Sequence, residues 1–144
     1  MIPVSQVMTR NPVTVDRNDP IRKAFDLMTE GRFRRLPVME GTKLVGIITD
    51  RDLRRATNSP LVLHETWYDE YLMDHITVEA CMSSDPIAVA PQTPVDEAAT
   101  IMCERQIGGV PVVEEGKLVG IITRTDLLKL LVKLLGSRSE AWGA

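Results

Sequence analysis

Cysteine is nearly absent from this sequence: Cys81 and Cys103 are the only two in 144 residues. A disulfide scaffold needs more, and neither belongs to a CxxC pair, so both read as small buried hydrophobes of a cytoplasmic protein. Histidine is as scarce. His64 and His75 lack the i, i+4 spacing that sets two imidazoles on one helix face, which argues against a metal site. Aromatics make up only 4% of the chain, so its core must be aliphatic. Basic charge is in deficit, with a formal net charge of -3, and no global positive field exists to attract a nucleic acid.

Long hydrophobic runs are missing too. The opening "MIPVSQVMTRNP" holds no apolar stretch of signal-peptide or membrane-span length, so neither export nor a membrane partner is expected. The tract "DLLKLLVKLLG" is interrupted by Lys129 and Lys133, which four positions apart form one polar stripe on a leucine-rich helix; this predicts docking rather than insertion. Catalytic constellations are also lacking. No Ser/His/Asp or Cys/His set and no Walker lysine behind a glycine-rich loop can be found, so no turnover is expected.

What the chain does have is an ordinary globular balance, 44% hydrophobic and 26% charged, and a sentence written twice. "KLVGIITDRDL" at 43–53 returns as "KLVGIITRTDL" at 117–127. At a constant offset of 74, residues 2–53 overlie 76–127 without a gap, and about 21 of 52 positions are identical. Each copy reads as a short helix, a β-branched strand, a helix, two strands around a glycine turn, and a final helix. Asp19 before Pro20, and Thr93 before Pro94, are expected to cap the middle helix, whose apolar positions are Ile21, Ala24, Phe25 and Met28 in one copy and Val95, Ala98, Ala99 and Met102 in the other. "LPVM" and "LVGIIT" predict an antiparallel hairpin with the second strand central. Gly46 and Gly120 stand either at a packing gap or where a ligand approaches the backbone.

These readings divide the chain into a motif at 1–56, a connector at 57–75, a second motif at 76–135 and a mobile tail at 136–144. Ser59-Pro60 marks a break in the connector, and a short helix over "HETWYDEYLMD" is expected to cover a core edge with Trp67, Tyr71 and Leu72.

Two tandem copies of "MTRNPVTV...FRRLPVMEGTKLVGIITDRDL" type resemble the cystathionine-β-synthase-type, or CBS, domain pair, also called the Bateman module. The resemblance covers nearly the whole chain. Its most specific element is Gly, two apolar residues, Thr, two residues and Asp at the last strand-to-helix junction, present in full twice. It implies an α/β fold of two small mixed three-stranded sheets with helices, packed by pseudo-twofold symmetry. It also implies regulatory binding of an adenosine-containing ligand (AMP, ADP, ATP or S-adenosylmethionine) in clefts between the copies, and a homodimer. With no effector domain in the sequence, a separate effector protein is expected to read the occupancy, and no cofactor is required.

The residues suit such a ligand. Thr49 and Thr123 fall where a strand gives way to a helix, so a hydroxyl and the following amides suit an anion. Asp52 and Asp126, one turn on, suit the paired hydroxyls of a ribose. The same Thr-x-x-Asp spacing is close to a capping box, in which Thr and Asp satisfy each other's amides, and sequence leaves both uses open. The resemblance sends Arg34 and Arg35 toward phosphate, where the second copy has Gly108 and Gly109; Arg124 begins the second final helix, where the first has Asp50. The base is expected among Val13, Leu36, Pro37 and Val38, and among Ile87, Val110, Pro111 and Val112. A ligand-free association module is the alternative.

Overall fold

The structure is a computed structural model that describes residues 1–57 and 66–142, the side chains of 66–69 and 137–142 excepted. In chain order the elements are a 3-10 turn (Val4–Gln6), β1 (Thr9–Arg10), β2 (Val15–Asp16), α1 (Ile21–Gly31), β3 (Arg35–Glu40), β4 (Lys43–Thr49) and α2 (Asp50–Thr57). There follow α3 (Thr66–His75), α4 (Val78–Cys81), β5 (Ser83–Ser84), α5 (Val95–Arg105), β6 (Gly109–Glu114), β7 (Lys117–Thr123) and α6 (Arg124–Trp142). The mixed α/β architecture is the expected one. The break proposed at Ser59-Pro60 lies outside the described residues.

The compact units are not the contiguous repeats. One comprises Pro12–Pro86, the other Met1–Asn11 with Ile87–Ala144. Each unit is therefore completed by the segment that leads the other repeat. In the Pro12–Pro86 unit the sheet order is β2-β3-β4-β5; in the other it is β1-β7-β6, with Val89 bridged in parallel to Val112 at the far edge. The repeated "LVGIIT" strand is central in both, flanked by its hairpin partner and by the exchanged strand.

Valine explains why the exchanged segments stay. Val78 is fully buried among Ile21, Leu36 and Ile48, and its counterpart Val4 is fully buried among Ala98, Val110 and Ile122. Burying one such side chain stabilises a fold by about 1.5–3 kcal/mol.

The helix starts differ from expectation for a related reason. Asp19 and Thr93 do not cap α1 and α5. Asp19 Oδ2 accepts the Asp16 amide at 2.9 Å and Thr93 Oγ1 accepts the Ala90 amide at 3.1 Å, so each closes the preceding turn. The helices begin one residue after the prolines, which are extended. Their first amides donate instead to carbonyls of the exchanged segments, Ile21 to Ile76 at 2.9 Å and Val95 to Ile2 at 2.8 Å. On α1 the buried positions are Ile21, Ala24 and Met28, while Phe25 is exposed.

Connector helix α3 is fastened by charge, and the Trp67 side chain expected to cover a core edge lies outside the described residues. Arg22 on α1 donates to Glu70 at 2.8 Å and also pairs with Asp74. Tyr71 lies in the open, stacked on His75 with ring centroids 3.9 Å apart, and Met73 packs against the core in its place. Helix α6 continues through Trp142, because Gly136 alone does not stop a helix and no proline follows; most of the expected tail is thus helical.

Candidate functional site

Both strand-to-helix junctions are built alike. In each hairpin the first residue of one strand stands opposite the junction threonine, Arg35 against Thr49 and Gly109 against Thr123. Directly opposed residues share a face of the sheet, so half-buried Arg35 stands beside Thr49, while the second junction has no side chain there. Arg34 is exposed, and its carbonyl accepts the Asp50 amide at 2.9 Å. Arg124 is exposed at the start of α6, its amide donating to the Gly108 carbonyl at 3.1 Å.

The capping-box geometry is realised twice. Thr49 N–H donates to Asp52 Oδ2 at 2.8 Å, and Asp52 N–H donates to Thr49 Oγ1 at 3.2 Å. At the second junction the corresponding distances are 2.9 and 3.4 Å. At the first junction the amides of Thr49, Asp50, Arg51 and Asp52 all have acceptors within the protein, unlike the open amide cluster expected of an anion seat. Each aspartate gives one oxygen to its own helix.

The two junctions differ in what remains. Among the described residues, Asp52 Oδ1 accepts no hydrogen bond and the Thr49 hydroxyl donates none. An acceptor and a donor are thus uncommitted three positions apart, next to Arg35. At the second junction Thr123 Oγ1 donates to Asp126 Oδ2 at 3.1 Å, and Thr9 Oγ1 donates to Asp126 Oδ1 at 2.9 Å. Asp126 is 8% exposed, whereas Asp52 is half-buried.

Other expected site residues separate into two groups. Leu36, Pro37, Val38, Val110, Pro111 and Val112 are fully buried, and the four aliphatic ones belong to the cores, so within each unit they present no side chain to a ligand. Val13 and Ile87 are exposed, each two residues ahead of the residue that joins its sheet. The glycines resolve as packing gaps. A Cβ on Gly46 would lie 2.5 Å from Met82 Sδ and 2.7 Å from the Ser83 carbonyl; on Gly120 it would lie 2.6 Å from Met8 Sδ and 2.9 Å from the Thr9 carbonyl. Thr9 and Ser83 went unnoticed in the sequence, although the offset of 74 that pairs the two junctions pairs them as well.

Near Asp52 lies Cys81, whose thiol is pushed above its ordinary range by burial and, to a smaller degree, by that carboxylate. Such a thiol is a poor nucleophile. Among the described residues, no group of three His, Cys, Asp or Glu side chains is placed to hold a metal ion, and no helix is long and apolar enough to cross a membrane.

The sequence profile of the CBS domain matches residues 4–59 and 78–133, more than half of the chain. The chain belongs to the CBS domain family. It is 40% identical over 136 residues to a CBS domain-containing protein of Dictyostelium discoideum, covering 92% of each. Among solved structures it is similar to CBSX2 in complex with AMP, with a TM-score of 0.79 at 26% identity over 93% of this chain and 99% of that one. It is also similar to a CBS domain pair in complex with 5-methylthioadenosine and S-adenosyl-L-methionine, with a TM-score of 0.74 at 29% identity over 91% and 96%. Those CBS pairs carry adenosyl ligands, and the internal repeat of this chain is the tandem of two CBS domains.

Proposed function

We propose that this CBS pair is a regulatory binding module for an adenosine-containing ligand of the AMP, ADP, ATP or S-adenosylmethionine type, and that it performs no chemistry on that ligand. The observation that carries the reading is the uncommitted pair at the first junction. Asp52 Oδ1 can accept from both hydroxyls of a ribose, and the Thr49 hydroxyl can donate to an oxygen of the same ligand. Arg35, opposite Thr49 across the hairpin, supports a contact with a phosphate or carboxylate of the ligand at this junction. Relatives solved with AMP and with S-adenosyl-L-methionine support the ligand class. Occupancy is read by a separate effector protein, in the cytoplasm, where the thiols of Cys81 and Cys103 stay unpaired.

Thermal unfolding of the full chain with AMP, ADP, ATP or S-adenosylmethionine tests this. A ligand at 100 times its dissociation constant stabilises the fold by about 2.7 kcal/mol, and Asp52→Asn should abolish the shift. No shift with any of them overturns the reading.

A second role, association of two copies, is favoured by a specific surface. Leu128, Leu131, Val132 and Leu135 line one face of α6 and are half to two-thirds exposed, Val132 most of all at 69%. A second copy burying this face would form a homodimer, compatible with ligand binding.

A further inference from the structure

Thr9 and Ser83 occupy equivalent places in their units. Thr9 pairs with Ile121 on β7 and Ser83 with Ile47 on β4, the same register against the same repeated strand. Only one of the two hydroxyls meets its junction aspartate. Thr9 Oγ1 donates to Asp126 Oδ1 at 2.9 Å, while among the described residues Ser83 makes no bond to Asp52. Threonine is branched at Cβ and stiff about χ1, whereas serine turns among three wells. A hydroxyl on a carboxylate is also among the stronger neutral-to-charged hydrogen bonds.

Building on the adenosyl-ligand reading, we propose that Thr9 is a specificity-determining residue that closes the second junction. Its hydroxyl takes one of the two acceptor sites of Asp126 Oδ1, so that oxygen can no longer receive both hydroxyls of a ribose as Asp52 Oδ1 can. The chain accordingly takes one ligand, at Asp52. The Thr123 hydroxyl, turned onto the same carboxylate, leaves the second junction without a donor as well. The two repeats thus share a motif and differ in availability, and the residue that makes the difference lies 117 positions from the one it closes.

Isothermal titration of the full chain with AMP, and separately with S-adenosylmethionine, tests the proposal by stoichiometry. Wild type should bind one equivalent, and Asp52→Asn should remove it. Thr9→Val keeps the shape and the χ1 preference but cannot donate; it should bind two equivalents, the second lost again in Thr9→Val/Asp126→Asn. The retained Asp52 equivalent reports that the variant is folded, and Thr9→Ala serves as a second variant. One equivalent in both Thr9 variants, two in wild type, or a single wild-type equivalent lost on Asp126→Asn would each overturn the role of Thr9 and leave the ligand reading standing. Absence of binding by wild type and all variants would overturn both.

Discussion

The amide of Ile21 donates to the carbonyl of Ile76 at 2.9 Å, so the first helix of one repeat is capped by the segment that opens the other. The reciprocal bond, Val95 to Ile2 at 2.8 Å, does the same for α5. Removing residues 1–8 should therefore loosen α5, β6 and β7 and leave α1, β3 and β4 protected. Hydrogen exchange resolved by mass spectrometry checks this, and equal loss of protection in both units would contradict it. Val4→Ala alone should cost about 2 kcal/mol in urea unfolding, two methyl groups plus part of a cavity.

Gly46→Ala and Gly120→Ala should each destabilise by about 1–3 kcal/mol, because the new Cβ would press on a backbone carbonyl of the exchanged strand as well as on a methionine sulfur. Combining Gly120→Ala with Met8→Ala relieves only the sulfur. Full recovery of the unfolding midpoint in that double variant would show that the carbonyl contact is unimportant.

Acid should release α3. The Arg22 guanidinium, bonded to Asp74, holds that carboxyl below its ordinary value. A group with a lowered folded-state pKa stabilises above its unfolded value and loses that contribution as pH falls through the folded value. The attachment should therefore be intact above about pH 4 and weaken below it. Protection of the α3 amides, taken relative to their intrinsic exchange at each pH, should fall from pH 7 to pH 3 more in wild type than in Asp74→Asn, in which the pH-dependent part is gone. The same fall in the variant would show that other groups govern the helix.

Leu131→Glu places a charge in the apolar face of α6 and should convert a sedimenting dimer to a monomer without lowering the melting midpoint of the monomer. Unchanged sedimentation would remove α6 from the association surface.

Strong local patterns were legible in the sequence: the repeat, the hairpins, the central "LVGIIT" strand and the Thr-x-x-Asp junctions. Segment exchange was not, because Val4 and Val78 each suit either of two nearly identical cores and periodicity carries no address. Asp19 and Thr93 do not cap for the same reason, since the acceptors of the first helical amides lie in the exchanged segments. Tyr71 was expected to be buried by its helical phase, but Arg22 fixes α3 through charge and leaves that ring exposed. At the site, the sequence named both aspartates, but the hydroxyl on Asp126 comes from Thr9, far outside the reach of any spacing rule.

A polypeptide carrying a single repeat would lack the exchanged segment that brings the plug valine and the carbonyl cap, and could take both from another molecule. Two such polypeptides trading their opening segments would satisfy each other. Tandem duplication makes that trade permanent within one chain, and it frees the two halves to diverge at positions such as Thr9 and Ser83, which identical subunits could never do.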